Sequence, residues 1–296
     1  MKVVIYGAGK FGELYCRLQG EENRIIAVTD SNKEKWGKGL CGHQIVPPSE
    51  VIKYDFDKIV ITVDDYSRKG ETAAKEIYQS LIDLGVSHQK ILQNKLRLHV
   101  YDATRVNFVY EYAKLVYRHG WLGNVAEAGV YRGDFAAHIN AAFPDRKLYL
   151  FDTFTGFDER DKSQEKSKHM RDWLEIGGDE YLTHGSAQST LLKCENRNHV
   201  IIKQGYVPDT FEGLENEKYL FVNLDMDLYA PTIAALRYFL PRMNKDGIIL
   251  LHDYYWWETV GIKQAVDEVN NEYKFWRLPI GDNMSVALLN FEKIDV

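Results

Sequence analysis

The sequence is poor in cysteine and proline, and it lacks any long apolar run. Its three cysteines, Cys16, Cys41 and Cys194, are odd in number and far apart, so neither a disulfide framework nor a thiolate metal site is indicated. No apolar run approaches the length of a membrane helix, so we expect no membrane span. The chain opens with a strand-like run and not with a signal peptide, which, with free thiols, favours the cytoplasm.

Positive charge is also in short supply. The chain of 296 residues has 37 Lys and Arg against 43 Asp and Glu, which gives a formal net charge of −6. Because a nucleic-acid partner normally requires a basic face, this balance argues against one. The length allows two domains with sizeable cores.

Strand-like and helix-like segments alternate along the chain, which predicts the α/β class. We expect two Rossmann-like doubly wound domains, residues 1–93 and 94–296, because residues 93–101 show mixed polarity and no clear period. In the second domain the strands near residues 275–278 and 285–289 follow one another closely. They predict an antiparallel last pair on an otherwise parallel sheet.

The first domain starts with a glycine motif. An apolar strand enters Gly7-Ala-Gly-Lys-Phe-Gly12, a helix to about Leu18 follows, and a second strand ends in an acid. This is the context of a nucleotide-binding turn, with candidate ligand contacts at Gly7, Gly9, Gly12 and Asp30. A full dinucleotide site normally needs two such halves, and this domain is long enough for only about one.

A second glycine turn, Asn124–Gly133, leads the other domain. Gly129 allows a sharp turn, and Gly133 allows the next helix to begin close to a ligand. Asp152 ends the following strand, where its carboxylate can accept hydrogen bonds from ribose hydroxyls, and Thr153 comes next. Glu127 precedes the glycines and suits a ligand with an ammonium group. An acid on both sides of the turn favours S-adenosylmethionine over a dinucleotide, while an ordinary βαβ turn with solvated acids is the alternative.

Several polar residues follow other strands of this domain. Because the ends of parallel strands meet at one edge of a sheet, we expect these residues to lie together. Gly205 and Tyr206 can contact an adenine ring. The residues after the next two strands suit a hard divalent cation that would lower the pKa of a substrate hydroxyl: Asp225, His252 and Asp253. Asp227 alternates away from Asp225 and is, alternatively, a cap of the next helix.

Other segments carry less specific signals. We predict helices from Asp102 to His119 and from Pro231 to about Met243, and strands at 198–205 and 248–253. Residues 158–183 are rich in charge and show no strand period. They form either a mobile lid beside the site or a solvated loop.

Five blocks in this domain resemble the macrocin O-methyltransferase (TylF-like) family of class I S-adenosylmethionine-dependent methyltransferases, over about residues 104–290. The blocks are those beginning at Glu127, Phe151, Gly205, Leu224 and His252. The resemblance implies that Glu127, Gly129, Gly133 and Asp152 bind the cofactor. It also implies that Asp225 is a metal ligand and a candidate base, and that Asp253 is a second ligand, generally for magnesium.

His252 departs from that family pattern, which has Asp at this position. Histidine is a softer ligand, so manganese or another divalent ion stays open, as does His252 acting as the base. A histidine at a strand end is also often a hydrogen-bonded structural residue.

Residues 1–92 resemble the small Rossmann-type domain of PglD-like sugar acyltransferases. The resemblance rests on the first glycine motif, on Val28-Thr-Asp30, and on the segment from Trp36 to Val46. It implies a site for a nucleotide or UDP-sugar at Gly7, Gly9, Gly12 and Asp30. The alternative is a domain that only packs or dimerises.

These observations lead to one expected function and two rivals. We expect an S-adenosylmethionine-dependent, divalent-metal-assisted O-methyltransferase that acts on the hydroxyl of a sugar or nucleotide-linked sugar. Its setting would be surface-glycan or natural-product biosynthesis. The rivals are an NAD(P)-dependent oxidoreductase, for which we find no hydride-transfer residues, and a non-catalytic nucleotide-sensing scaffold. A homodimer is the default expectation for assembly.

Overall fold

The computed structural model describes residues 1–9, 12–13, 15–16, 24–63, 68–93, 100–178 and 185–294. It forms two compact units, Met1–Arg97 and Leu98–Val296. The domain boundary that we place after residue 93 stays a prediction. No helix in these ranges is both long enough and apolar enough to cross a bilayer.

The first unit contains a six-stranded sheet in the order β3-β4-β2-β1-β5-β6. Its strands are β1 (Lys2–Tyr6), β2 (Arg24–Thr29), β3 (Gly39–Leu40), β4 (His43–Val46), β5 (Lys58–Ile61) and β6 (Ile91–Gln93). All neighbours are parallel except β3 and β4. Helix α1 spans Arg68–Asp83, and 3-10 segments span Lys33–Lys35, Pro48–Lys53 and His88–Lys90. The helix expected to follow Gly12 lies mostly outside the described residues.

Strand β1 is buried on both sides. Val4 and Tyr6 pack with Ile59 in one cluster, and Ile5 packs with Val28 in another. Strands buried on both faces are typical of parallel sheets covered by helices, and they read as continuous apolar runs in the sequence.

The second unit contains a seven-stranded sheet in the order β12-β13-β11-β10-β7-β8-β9. Its strands are β7 (Asn124–Ala128), β8 (Leu148–Asp152), β9 (Val200–Gln204), β10 (Tyr219–Leu224), β11 (Met243–Leu251), β12 (Tyr273–Pro279) and β13 (Val286–Lys293). Its helices are α2 (Val100–His119), α3 (Asp134–Ala142), α4 (Glu159–Lys162), α5 (Lys168–Glu175), α6 (Ala187–Lys193), α7 (Tyr229–Phe239) and α8 (Val260–Val269). Short 3-10 segments span Arg197–His199, Asp209–Phe211 and Leu240–Arg242. Among the described strands of this sheet, the antiparallel pairs are those that β13 forms with β11 and with β12, and the predicted fold class is confirmed.

Every residue of β10 is buried. Val222 and Leu224 pack into one layer of the core, and Phe221 packs into the other. Burying an apolar side chain of this size stabilises the fold by roughly 1.5–3 kcal/mol. The centre of the sheet is therefore a rigid base for the residues that follow its strands.

Strand β11 begins earlier than the sequence predicts. Met243 already pairs with Tyr219, and the next pair in the ladder is Ile248 with Phe221, so residues 244–247 bulge out of it. This bulge explains why the sequence Asp246-Gly247 resembles that of a turn. The preceding α-helix likewise ends at Phe239, because a 3-10 segment containing a proline follows it.

The charge-rich segment after β8 contains two helices in its described part. Four of its residues are buried: Asp161 in α4, Met170 in α5, and Glu165 and Ser167 between the two helices. The solvated-loop interpretation is therefore wrong for residues 158–178. Local capping explains both helices, since Asp158 accepts a hydrogen bond from the N–H of Arg160, and Ser167 accepts one from the N–H of Met170.

Candidate functional site

The candidate site lies at the carboxyl edge of the second sheet, where the strand order reverses. From β7 the chain adds β8 and β9 on one side and then places β10 on the other. Ligands of such sheets bind in the crevice at this switch point. Leu224 pairs with Ala128 of β7 and with Leu251 of β11. The residues that follow these strands therefore lie side by side: Gly129, Asp225 and His252.

Asp152 holds the glycine turn in place. Its Oδ2 atom accepts hydrogen bonds from the N–H groups of Val130 (2.6 Å) and Tyr131 (2.8 Å), and its Oδ1 atom accepts one from Phe154 (2.6 Å). Burial raises the pKa of this carboxyl, and the three N–H donors oppose that rise. Part of its accepting capacity thus serves the loop, and the predicted contact with ribose hydroxyls has to share the same oxygens.

Gly129 lies where the turn meets the loop after β10. Its φ is +81°, a value that favours glycine, and its N–H donates to the carbonyl of Phe151 (3.0 Å). A Cβ atom at this position would overlap the carbonyl oxygen of Asp225. Only a residue without a side chain lets the two loops approach so closely.

A cleft opens beside this turn, and five of the predicted cofactor residues line it. They are Gly129, Asp152, Thr153, Gly205 and Tyr206. Asp225 and Asp227 line the same cleft from the β10 side. Glu127 and Gly133 do not line it; Gly133 instead precedes α3 with φ +77° against Thr190.

Asp158 and Asp161 line the outer wall of the cleft, and Arg160 lies against it over the Tyr206 ring; sequence reasoning missed all three as site residues. Tyr206 donates its hydroxyl to Asp161 Oδ1 (3.1 Å), and the Arg160 guanidinium carbon lies 3.5 Å from the centre of the Tyr206 ring. Asp158 holds Arg160 through two charged hydrogen bonds. Burial raises the pKa of Asp161 to about 6. The wall therefore carries a carboxyl group that titrates near neutral pH.

This raised pKa makes a pH-dependent contribution to stability. The contribution is fully present below the unfolded value of 3.8 and is lost as pH rises through about 6. We expect Asp161→Asn to lack this loss of stability. As pH rises from 4 to 7, wild type should therefore lose about 1 kcal/mol of unfolding free energy relative to the variant, a figure that allows for solvent screening. Urea unfolding across that range measures it. A flat difference for Asp161→Asn would contradict the assignment.

Glu127 is buried behind the cleft. It is 2% exposed, and its Oε1 atom accepts from Asn223 Nδ2 (2.9 Å). Its Oε2 atom has no hydrogen-bond partner within the described part of the chain. Burial, reinforced by the charge of Asp225, raises the pKa of Glu127 well above its usual range. A buried oxygen without a partner is costly, so this atom is suited to a cationic ligand group.

Arg105, from α2, is a further residue that the sequence did not indicate. Its Nη1 atom lies 2.7 Å from Asp225 Oδ2, and its guanidinium carbon lies 4.3 Å from the centre of the Phe135 ring. Burial alone would raise the pKa of Asp225, but the charges of His252 and Arg105 outweigh it and hold that pKa well below its usual range. Asp225 is therefore ionised.

Asp225, His252 and Asp253 form a compact cluster. His252 Nδ1 lies 3.0 Å from Asp225 Oδ1 and 3.1 Å from Asp253 Oδ1. This nitrogen does not have the alignment of a hydrogen bond to either oxygen. One ligand atom from each residue lies within 4.8 Å of the others. Burial lowers the pKa of His252, yet the Asp225 carboxylate raises it to about 10.

Asp227 does not cap the helix that follows it. The N-cap of α7 is Leu228, which makes no side-chain capping bond, so the capping interpretation of Asp227 is wrong. Burial and the charges of Asp253 and Asp225 raise the pKa of Asp227 well above its usual range. Asp227 and Asp253 have φ values of +59° and +55°, in the left-handed region that non-glycine residues rarely adopt.

Glu165 caps α7 from a distance. Its Oε2 atom accepts from the N–H of Tyr229 (2.8 Å), and its Oε1 atom accepts from the N–H of Ser167 (2.6 Å). Ser167 in turn donates its hydroxyl to the carbonyl of Glu258. The segment after β8 is thus tied to the loops that follow both β10 and β11.

The first unit has its own cavity at the predicted motif. This cavity has a volume of about 600 Å³, and Gly7, Gly9 and Asp30 line it. Asp30 Oδ2 accepts from the N–H of Ala8 (2.7 Å) and from Lys35 Nζ (2.8 Å). Burial opposes ionisation of Asp30, but Lys35 and the backbone donors outweigh it and lower its pKa. Gly12 does not line this cavity, although a Cβ at Gly12 would overlap the Gly7 carbonyl.

Two relatives are similar to this chain. A 4'-O-methyltransferase from Streptomyces olivaceus, named for 8-demethyl-8-(2,3-dimethoxy-alpha-L-rhamnosyl)-tetracenomycin-C, is 24% identical over 175 residues. The alignment covers 52% of this chain and 66% of that protein. The solved structure of the O-methyltransferase NovP is 21% identical with a TM-score of 0.53, and covers 63% of this chain and 79% of that one. At this identity the second likeness shows a shared fold.

Family comparison covers nearly the whole chain. Residues 1–92 match the family described as C2185-like, N-terminal. The resemblance of this unit to PglD-like domains stays a prediction. Residues 95–282 match the family described as Macrocin-O-methyltransferase (TylF), which confirms the resemblance carried by the five sequence blocks. Because this match spans more than half of its length, the chain belongs to the macrocin O-methyltransferase (TylF) family.

Proposed function

We propose that this chain transfers the methyl group of S-adenosylmethionine to a hydroxyl group of a sugar. The observation that carries the proposal is that Asp225 both lines the cleft and belongs to the cluster with His252 and Asp253. On this assignment the donor and acceptor sites meet at one edge of the sheet. Family membership supports the reaction, and the rhamnosyl group in the name of the Streptomyces olivaceus relative supports a sugar acceptor.

The cleft residues suit the parts of the donor. We assign Asp152 and Thr153 to the ribose hydroxyls and Gly205 and Tyr206 to the adenine ring, since all four line one cleft. The free Oε2 atom of Glu127 is the acceptor that remains for an ammonium group. Gly133, at the start of α3, packs against Thr190 outside the cleft lining, so its contact with the donor stays a prediction.

A divalent cation fits the cluster. The imidazole nitrogen of His252 lies 3.0 Å from an oxygen of Asp225 and 3.1 Å from an oxygen of Asp253, and it is not aligned for a hydrogen bond to either. Ligands of a cation with bonds of about 2.1 Å stand at about this separation. We therefore propose that Asp225, His252 and Asp253 hold magnesium or manganese. The ion, when bound, would lower the pKa of a substrate hydroxyl.

The chain itself must align the two substrates and remove a proton. In the reaction the hydroxyl oxygen bonds to the methyl carbon as the carbon–sulfur bond breaks, and S-adenosylhomocysteine leaves. The hydroxyl proton passes to a base, for which Asp225 and His252 are the candidates. Asp225 is ionised and can accept the proton directly, whereas His252, with its pKa raised to about 10, accepts it only in the neutral form. Alignment alone can lower the barrier by roughly 7–11 kcal/mol, so the rigid strand ends contribute more than the base does.

A thermal-shift series tests the proposal. S-adenosylhomocysteine should raise the melting temperature, since a ligand at about 100 times its Kd adds about 2.7 kcal/mol of stability. Magnesium or manganese should raise it further, and EDTA should reverse that part. NAD should leave it unchanged. A shift with NAD alone would favour the oxidoreductase, and S-adenosylhomocysteine binding without turnover of any sugar acceptor would favour a sensing scaffold.

For the first unit we propose a nucleotide or UDP-sugar ligand. The cavity at Gly7, Gly9 and Asp30 supports this, because backbone groups and a charged pair at a glycine turn suit such a ligand. UDP-glucose in the thermal-shift series provides the test, and no response would leave this unit with a packing or dimerising role. We further propose a cytoplasmic enzyme, expected to be a homodimer, of surface-glycan or natural-product biosynthesis.

A further inference from the structure

Three consecutive aromatic side chains lie exposed just after Asp253, the last residue of the cluster. Tyr255, Trp256 and Trp257 are 46%, 40% and 59% exposed. Single exposed apolar residues are common, but these three are consecutive, and the rings of Trp256 and Trp257 lie 6.5 Å apart beside a polar site, which indicates a binding surface. We call these three residues the aromatic loop.

The aromatic loop is fixed to Asp253. The N–H of Trp256 donates to the carbonyl of Asp253 (3.2 Å), and Thr259 Oγ1 donates to the same carbonyl (2.8 Å). A bond between residues three apart closes a turn whose ends lie within about 7 Å. The Cα atom of Trp256 therefore lies within about 7 Å of the Cα atom of Asp253, a distance comparable with the width of one sugar ring.

The segment after β8 braces the aromatic loop from its other side. The ring of Trp257 meets the ring of His169, on α5, at 4.8 Å and 80°. Trp256 Nε1 donates to Glu258 Oε2 (3.2 Å), and the carbonyl of Glu258 accepts the bond from Ser167. Each indole group thus has a partner on the protein, while 40% of Trp256 and 59% of Trp257 remain exposed.

This arrangement suits the ring of a sugar. A pyranose has a face of C–H groups that packs on an aromatic ring, and its hydroxyl groups, which lie around the rim, keep their polar partners. Trp also makes large contacts at little conformational cost, as a rigid anchor requires. Polar groups beside the rings are available to those hydroxyls, including Glu258 and His169.

We propose that the aromatic loop is the platform on which the acceptor sugar stacks, so that one of its hydroxyls reaches the cluster at Asp253. The inference rests on the proposed function and extends it, because it assigns the acceptor class. The acceptor is a pyranose that presents an open C–H face, and its recognition depends on Trp256 and Trp257.

Saturation-transfer NMR tests the platform without the need for turnover. The probes are methyl α-L-rhamnopyranoside and methyl β-D-glucopyranoside, added to the full chain with S-adenosylhomocysteine. We expect transfer to the ring protons of at least one glycoside. The double variant Trp256→Ala, Trp257→Ala should reduce it about tenfold, as for loss of an aromatic anchor. Trp256→Phe with Trp257→Phe should restore most of it.

Two controls separate the possible failures. Trp276→Ala, on a side chain of β12 that is 67% exposed, should keep the wild-type signal. Calorimetric affinity for S-adenosylhomocysteine should be the same in every variant, which shows that each one folds.

Three results would overturn the platform. They are no transfer to either glycoside in wild type, unchanged transfer in the double Ala variant, and a wild-type dimer that the variant converts to a monomer with sugar contacts intact. Transfer lost in the double variant, but with no methylation of any sugar by wild type, would support the platform and contradict the proposed function alone.

Discussion

Asp225→Asn is expected to lower methyl transfer about a thousandfold and to leave S-adenosylhomocysteine binding nearly unchanged. Asparagine keeps the shape of the side chain, and its oxygen can still accept from Arg105. It loses the negative charge that a hard cation and a proton acceptor both require. Manganese affinity, measured by electron paramagnetic resonance, should fall about 100-fold, and this readout needs no acceptor.

Asp246→Asn is the matched control for that substitution. Asp246 is an exposed acid on the same unit, in the bulge of β11, and it lies outside the cluster. The control should keep wild-type manganese affinity and turnover. Wild-type values of both in Asp225→Asn would refute the metal site and the role of Asp225 together. A change in S-adenosylhomocysteine affinity alone would instead place Asp225 in the donor site.

We expect Gly129→Ala to be the most destabilising glycine-to-alanine substitution among the described residues of the second unit. The new Cβ would overlap the backbone carbonyl of Asp225, and backbone can move only if a strand end moves with it. The φ of +81° adds strain. We expect a loss of about 3 kcal/mol or more in unfolding free energy, at roughly 2–4 °C of melting temperature per kcal/mol, and no stabilisation by S-adenosylhomocysteine.

Gly213→Ala isolates the overlap from the strain. Gly213 has a φ of +80°, and a Cβ there would meet open space. This control should cost only about 1 kcal/mol and keep cofactor binding. If the two variants unfold at the same temperature, close approach of the two loops is not what Gly129 provides.

Local sequence was sufficient to predict the strands and the residues that end them. An apolar run that stops at an acid, as at Asp152, is visible in one stretch of chain. The sheet rule then places Asp152 and Asp225 on the same edge without knowledge of distances. The family resemblance added the order of the blocks.

Residues that reach the site from a distance gave no such signal. Arg105 is 120 residues from Asp225 in sequence, and Glu165 is 64 residues from the Tyr229 N–H that it caps. Both look like ordinary charges on helical or charge-rich segments. Their roles depend on how the chain returns after β8 and before β7, which periodicity does not describe. The bulge at residues 244–247 was missed for a related reason, because a bulge and a turn use the same residues.

The left-handed backbone at Asp227 and Asp253 has a consequence for how such a site evolves. Glycine would adopt these angles at less cost than aspartate, so stability alone would not retain an acid at either position. Selection on the reaction has to hold both residues against that preference. A lineage that no longer needed catalysis would accumulate glycine at these two positions, and its stability would rise as its activity was lost.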